Sequence, residues 1–176
     1  MLRIQLANET NVTLENRKQL HEILRIAYAL TEIEVWGENY VRITFEEYNE
    51  LIDKGEILIA YLENQVVGGI HFYERKKGLY SFSLLCADFD KSGLGIGRAL
   101  VDWVEAEALK NEATAIQLEI LRPKGIEVPF KKQISDWYQR MGYNYTGSQN
   151  FAEVKPVKAR NLINPSDFDY YLKTLS

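Results

Sequence analysis

The sequence has little of what disulfides and metal sites are made from. It contains one cysteine, Cys86, and two histidines, His21 and His71, which lie far apart along the chain. One cysteine cannot form an internal disulfide, and these three residues do not supply the close ligand set of a structural zinc site. We therefore expect a reduced, cytoplasmic protein that uses no metal.

Long apolar runs and excess positive charge are also missing. The longest unbroken apolar run, Ile57 to Leu62, is far too short to cross a bilayer, and the opening MLRIQLANET lacks the apolar core of a signal peptide. The net charge is -4, whereas a general nucleic-acid binder shows a basic stripe and a high pI. We expect neither a membrane nor a nucleic acid as a partner.

What is present is ordinary for a globular chain: 46% hydrophobic and 26% charged residues in a length of 176. That length suits one domain, and neither an internal repeat nor a low-complexity tract divides it. We therefore expect residues 1–176 to form a single domain.

Hydrophobic periodicity predicts both helices and strands. Strands are expected at Leu2–Leu6, Ile57–Leu62, Val66–Tyr73, Leu79–Ala87, Ala115–Leu121, Phe151–Lys155 and Phe168–Leu172. Helices are expected near residues 13–30, 44–55, 97–110 and 130–141, with a loop or short helix over 31–43. Thr44 and Glu47 fit a capping box at the second helix, and Gly142 is placed to end the last one. The order of these elements predicts an α+β fold with a mixed sheet.

The most informative stretch is the turn from Ser92 to Gly97, where a strand runs into a helix through Gly93, Gly95 and Gly97. Glycine permits φ > 0 and lets a ligand approach the backbone amides closely. The first turn of a helix adds amides without partners and an electropositive end. Together these features indicate a site for a phosphate or pyrophosphate.

Several ligands would suit such a turn. A Walker-type loop would need Gly-Lys-Ser/Thr, but Gly97 is followed by Arg98 and Ala99. A dinucleotide fold would place its glycines in the first βαβ unit, and here they follow an antiparallel-looking meander. A glycine-rich helix entry without any ligand is a third reading.

Two motifs resemble the GNAT superfamily of N-acetyltransferases. The run Ser92-Gly-Leu-Gly-Ile-Gly-Arg-Ala-Leu100 is similar to its acetyl-CoA signature, in which Gln or Arg and two further residues precede Gly-x-Gly/Ala. Gly95 and Gly97 match the two small positions, whereas Ser92 stands where the family has Gln or Arg. Trp137-Tyr-Gln-Arg-Met-Gly-Tyr143 resembles the family's second segment, an aromatic and a tyrosine followed three residues later by Gly and an aromatic. The resemblance implies a GNAT-like acyl-CoA N-acyltransferase fold, a central, mostly antiparallel sheet with helices on both faces.

The resemblance also implies the cosubstrate, acetyl-CoA, and its site. In the family, the strand before the glycine turn diverges from its neighbour, and the pantetheine arm bonds to the freed backbone. The residues that would hold the cosubstrate here are Leu85, Cys86, Ala87, Gly93, Leu94, Gly95, Ile96, Gly97 and Arg98. A freed amide beside the thioester would stabilise the developing oxyanion, a term worth roughly 3 kcal/mol per donor.

The reaction implied is direct attack of a primary amine on the thioester through a tetrahedral intermediate, which needs an acid and a base. Tyr138 stands at the position of the family's general-acid tyrosine. Glu119 is our candidate for the base, with a water-relayed or different acidic residue as the alternative. His71 could also titrate near neutrality, although a histidine on a strand is commonly structural. Cys86 is read as a small buried residue and not as a nucleophile.

An acceptor pocket is expected from two segments. The first offers Glu32, Glu34, Trp36, Tyr40 and Phe45, and the second is the loop from Arg122 to Lys132. Acids with aromatics would suit a cationic amine, but the same aromatics could simply pack the helices onto the sheet.

The leading hypothesis is therefore an acetyl-CoA-dependent N-acetyltransferase whose acceptor is a small-molecule or protein amine. A non-catalytic CoA-binding sensor of the same fold is the alternative, and an interaction domain without a ligand is a third. A homodimer is also possible, through exchange of the terminal strands Phe151–Lys155 and Phe168–Leu172.

Overall fold

The structure, a computed structural model, describes residues 1–8 and 10–176. Its strands are β1 (Leu2–Leu6), β2 (Ile57–Leu62), β3 (Gln65–Lys76), β4 (Leu79–Ala87), β5 (Ala115–Pro123), β6 (Asn144–Asn150) and β7 (Ser166–Thr174). Its helices are α1 (Leu14–Thr31), α2 (Ile33–Trp36), α3 (Phe45–Asp53), α4 (Ile96–Lys110), α5 (Pro129–Arg140), α6 (Phe151–Val154) and α7 (Pro156–Ala159).

These seven strands form one sheet in the order β1-β2-β3-β4-β5-β7-β6. Its pairs are antiparallel, with the exception of β4 and β5, which are parallel. A parallel pair needs a crossover, and α4 supplies it. The mixed, mostly antiparallel sheet of the α+β prediction is confirmed.

Helices cover both faces of the sheet because its strands alternate their buried side chains. On β2, Leu58 and Ala60 join a core that contains α4 and α5 residues, whereas Ile57, Ile59 and Tyr61 join a core under α1 and α3. A third cluster extends the second face beneath α2 and α6. The layers are therefore α/β/α, with α4 and α5 on one face and α1, α2, α3 and α6 on the other.

Local signals set the helix ends as the sequence predicts. The hydroxyl of Thr13 accepts from the amide of Asn16 at the start of α1. At α3, the Thr44 hydroxyl accepts from the Glu47 amide, and the Glu47 carboxylate accepts from the Thr44 amide, which is the predicted capping box. Gly142 has φ +97° just after α5.

One predicted strand is wrong. Residues 151–154 form α6, because the Asn150 side chain accepts from the Ala152 amide and starts a helix. The missing strand is β6, whose sequence NYTGSQN has no hydrophobic alternation because it lies exposed at the sheet edge. Residues 168–172 are inside β7, which β5 and β6 pair on both sides. The strand pair that suggested a dimer by exchange is therefore not formed.

Among the described residues, no helix combines the length and the hydrophobicity that crossing a bilayer requires.

Candidate active site

The sheet opens between β4 and β5. The two strands pair over three residues only, Leu79–Ser81 against Ala115–Gln117, although both continue well beyond that point. On its other edge β4 carries a bulge, since two of its residues, Leu84 and Leu85, stand opposite Ile70 alone. Leu84 has φ +52°, which is left-handed backbone. The divergence therefore leaves the backbone of β4 after Ser81 without a β5 partner.

The glycine turn lies at the end of that opening. Gly93 and Gly95 have φ of +81° and +74°, and a Cβ on either would meet no atom within 4 Å. Helix α4 follows at Ile96, and no side chain of the described residues caps it. Its first backbone bond runs from the Ala99 amide to the Gly95 carbonyl at 3.0 Å. The amides of residues 96–98 thus have no acceptor within the helix and can bind an anion.

Two other glycines, Gly68 and Gly97, allow neighbouring elements to pack closely, although neither has a left-handed φ. A Cβ on Gly68 would lie 2.5 Å from the Cys86 carbonyl oxygen, so β3 could not pack against β4 here with any larger residue. A Cβ on Gly97 would lie 3.4 Å from the ring of Trp137. Glycine at position 97 therefore lets the first turn of α4 approach α5.

A cavity of about 620 Å³ runs through the opening. It brings together most of the predicted site residues, namely Leu85, Cys86, Ala87, Gly97, Glu119 and Tyr138, with Ser92 beside them. Gly93, Leu94, Gly95, Ile96 and Arg98 do not line it. The Ile96 side chain is buried in the core, and Arg98 pairs with Asp102 at 3.0 Å on the surface. These five residues of the turn can therefore bind a ligand through their backbone groups more readily than through their side chains.

Tyr138 lies on α5 and faces the opening. Its ring is buried against Phe82, Trp137 and Tyr143, with centroids 4.9–5.9 Å away. No side chain in the described part of the chain hydrogen-bonds to its hydroxyl. Burial raises the pKa of Tyr138 well above the usual value of a phenol. The ring is therefore fixed, and the phenol keeps its proton at any neutral pH.

Two candidate bases lie on the other face of the sheet. The Glu119 carboxylate lines the cavity and accepts from Arg75 at 2.6 Å. His71 also lines it, with Nε2 2.8 Å from Glu56 Oε1 and Nδ1 3.3 Å from Ser83 Oγ. Both groups therefore occupy the cavity, and both already have a partner in the protein.

Cys86 is buried, and desolvation raises the pKa of its thiol to about 12. A shift from 9.0 to about 12 leaves about 1,000-fold less thiolate at pH 8 than an ordinary thiol has. This supports the reading of Cys86 as a buried residue and not a nucleophile.

We accordingly expect native protein at pH 8 to react with iodoacetamide at least 100-fold more slowly than the unfolded chain, because only the thiolate attacks. Mass spectrometry of the alkylated protein, with and without denaturant, measures this. Rapid stoichiometric alkylation of the native protein would contradict the burial described above.

The expected acceptor residues are only partly brought together. Glu32, Trp36 and Tyr40 line the cavity, whereas Glu34 and Phe45 do not. From the segment 122–132, only Phe130 and Lys131 reach it. Trp36 and Tyr40 stack at 4.4 Å and form one wall.

Glu32 is not free to bind a cationic amine. Lys131 Nζ donates to Glu32 Oε2 at 2.6 Å, and Arg42 donates to the other carboxylate oxygen. Burial raises the pKa of Glu32, but the charges of Arg42 and Lys131 outweigh burial and hold it below its usual value. The carboxylate is thus ionised and neutralised by two cations at once.

Sequence reasoning did not single out the basic residues of the cavity. Arg42, Arg75, Lys155 and Lys158 all line it, as does Lys131. They come from four separate segments, since Lys155 and Lys158 share one, and no local motif joins them. Desolvation lowers the pKa of Lys158, and the nearby charges of Lys155 and Arg42 lower it further. In the described part of the chain, no cluster of three or more His, Cys, Asp or Glu is placed to hold a metal ion.

Comparisons with known proteins identify the class of protein to which this fold and opening belong. A family model described as an acetyltransferase (GNAT) domain matches residues 53–145, just over half of the chain. The chain belongs to the GNAT acetyltransferase family and is an acyltransferase enzyme. No curated protein sequence matches it significantly.

Solved structures share the fold at low identity. An N-acetyltransferase from Staphylococcus aureus Mu50 aligns with a TM-score of 0.70 at 14% identity, over 100% of this chain and 99% of that one. The Salmonella typhimurium protein yncA, solved with its cofactor acetyl-CoA, gives 0.69 at 12%, over 100% and 95%. An aminoglycoside 6'-N-acetyltransferase complexed with coenzyme A gives 0.69 at 19%, over 98% and 96%. At these identities the likeness establishes the fold.

Proposed function

We propose that this protein transfers the acetyl group of acetyl-CoA to a primary amine. The observation that carries the proposal is the opening between β4 and β5, because the glycine turn and Tyr138 both lie beside it. The neighbours solved with acetyl-CoA and coenzyme A share this fold.

The residues present suit that cosubstrate. On the side that β5 leaves free, the backbone of Leu85, Cys86 and Ala87 can hydrogen-bond to the amides of a pantetheine arm as a missing strand would. The open space at Gly93 and Gly95 and the free amides of Ile96, Gly97 and Arg98 suit a pyrophosphate. When bound, acetyl-CoA supplies an activated thioester carbonyl.

In this proposal the chain's own residues move two protons. A base removes the proton of the acceptor ammonium, the amine nitrogen bonds to the acetyl carbon, and the carbon–sulfur bond breaks. Tyr138 donates its phenol hydrogen to the departing sulfur, and the second proton, which the nitrogen loses as the amide forms, restores the phenol. Glu119, which is paired with Arg75, takes the ammonium proton, and His71 is retained as the competing base because it lines the same cavity.

Acetyl-CoA binding and turnover test this function separately. Binding at 100 times the dissociation constant should stabilise the fold by about 2.7 kcal/mol, which a thermal shift detects. Thiol release across a panel of amines measures turnover. Absence of stabilisation would overturn the proposal, and stabilisation without turnover of any amine would favour the sensor alternative.

Glu119→Gln should lower kcat/KM by about 100-fold at pH 7, since general bases typically contribute about 10²–10⁴-fold. The deficit should shrink as pH rises, because an amine that is already deprotonated needs no base. Thiol release as a function of pH measures both effects.

Glu74→Gln is the matched control, because Glu74 is an exposed residue of the same sheet and does not line the cavity. It should leave the pH profile unchanged. If Glu119→Gln kept the full rate at pH 7, Glu119 would be excluded as the base. A collapse in His71→Gln would then assign the role to His71.

A further inference from the structure

The cavity has an end that the proposed chemistry does not use. It is bounded by Arg42, Lys155 and Lys158, which we term the cationic rim, and by the stacked rings of Trp36 and Tyr40. Lys155 and Lys158 form no ion pair with any described residue, and their side chains are exposed at the cavity mouth. Two lysines without partners thus stand beside a guanidinium.

Each carboxylate of the cavity already has a hydrogen-bond partner in the protein. Glu32 binds Arg42 and Lys131, and Glu119 binds Arg75. Glu47 accepts from the Thr44 amide at 3.0 Å, and Asp88 accepts from the Asp90 amide at 3.0 Å. Five cationic side chains and four carboxylates line the cavity, although the chain as a whole carries -4. The cavity is therefore locally basic in an acidic protein.

The cationic rim lies away from the glycine turn. Phe151 and Ala159, which flank the two lysines, pack with Trp36 on the α2 side of the sheet. Ile96 and Leu100 of α4 pack on the opposite side. The rim therefore faces the acceptor end of the cavity, and the amides at the start of α4 serve the other end.

We propose that the acceptor is an amine that also carries an anionic group, a carboxylate or a phosphate, which the cationic rim binds. This inference rests on the proposed function and specifies its substrate class. It differs from the expectation of a cationic acceptor held by acidic residues, because the acid placed for that task, Glu32, is already neutralised.

Electrostatic repulsion between the rim and the acceptor's ammonium also favours an acceptor with an anionic group. A nearby positive charge disfavours an ammonium, so the rim would repel an amine that carries no anionic group. A compensating anion on the acceptor offsets the repulsion that would otherwise weaken binding. A polycation without an anionic group, such as a polyamine, would meet the three cations of the rim, with Glu47 as the one nearby carboxylate of the described residues that is not paired to a cation in a salt bridge.

Matched acceptor pairs test the proposal. Glycine, β-alanine and 4-aminobutyrate are compared with their carboxamides, and phosphoethanolamine with ethanolamine. We expect at least one anionic acceptor to exceed its neutral partner in kcat/KM by about 10-fold or more, as charge-assisted hydrogen bonds would give. In Lys155→Gln/Lys158→Gln this ratio should fall below about 3, because the neutral side chains no longer discriminate.

Lys18→Gln/Lys110→Gln is the matched control, since it removes the same charge from two exposed lysines outside the cavity. It should keep the wild-type preference. A second readout is product binding: an N-acetylated amino acid and its carboxamide are titrated in the presence of coenzyme A, following Trp fluorescence.

The outcomes separate this inference from the function on which it rests. Turnover with equal rates for anionic and neutral partners would overturn the anionic acceptor alone. Loss of the acetyl-CoA thermal shift in Lys155→Gln/Lys158→Gln would also overturn the anionic acceptor alone, because the two lysines would then bind the cosubstrate. A protein that neither binds acetyl-CoA nor acetylates any amine would overturn both. A carboxylate preference without a phosphate preference, or the reverse, identifies the source of the anion.

Discussion

Gly95→Asp is expected to abolish acetyl-CoA binding at accessible concentrations. The substitution places a carboxylate in the open space before α4, where we propose that the pyrophosphate lies. Two unit charges about 4 Å apart interact by about 4 kcal/mol at an effective dielectric constant near 20. Each 1.4 kcal/mol is about tenfold in affinity, so the full repulsion corresponds to a loss of about 700-fold, and about 25-fold remains even if half of it is relieved.

Gly55→Asp controls for the backbone cost of the same change. Gly55 has φ +76° against +74° at Gly95, and a Cβ there also meets no atom within 4 Å, but Gly55 lies just after α3 and not in the glycine turn before α4. Both variants should lose similar stability, while only Gly95→Asp should lose the acetyl-CoA thermal shift. Gly95→Asn should show an intermediate loss, because it keeps the shape without the charge. Normal binding by Gly95→Asp would show that the anion site lies elsewhere.

The features that sequence reasoning predicted are those encoded by neighbouring residues. Each of these features is formed by residues a few positions apart, so the sequence alone reveals its pattern. Examples are the capping box at Thr44, the helix end at Gly142 and the glycine turn. The meander β2-β3-β4 is similar, because its strands are joined by short turns. The resemblance added the opening of the sheet, which periodicity alone does not reveal.

The features that sequence reasoning missed depend on contacts between residues distant in the chain or on exposure to solvent. Lys131 lies 99 positions from Glu32, and Arg75 lies 44 positions from Glu119, so neither pair leaves a local signal. Strand β6 was missed because an edge strand open to solvent needs no hydrophobic alternation. One interpretation of the acceptor end was therefore an acidic pocket, because the acids are visible in the sequence and the cations that pair with them are not.

The environment of Tyr138 refines the role first assigned to it. A phenol with an unperturbed pKa near 10 would exchange a proton with a thiolate readily, but burial raises the pKa of Tyr138 far above that value. A complete transfer is then unfavourable until the sulfur carries most of the negative charge. We therefore propose that Tyr138 acts mainly by donating a strong hydrogen bond to the departing sulfur, with the proton following late.

Tyr138→Phe should consequently lower kcat by about 100-fold, within the range for loss of a general acid, and leave acetyl-CoA affinity within about 3-fold. The ring packing against Phe82, Trp137 and Tyr143 remains, so the change removes the hydroxyl alone. Because the phenol stays protonated, the wild-type enzyme should show no decline of rate with pH that depends on Tyr138.

Tyr48→Phe is the matched control. Tyr48 lies outside the cavity, and its buried hydroxyl has no hydrogen-bond partner among the described residues, so removing this hydroxyl should keep the rate and not reduce stability. Equal kcat values for Tyr138→Phe and Tyr48→Phe, measured by thiol release at saturating acetyl-CoA, would remove Tyr138 from the reaction.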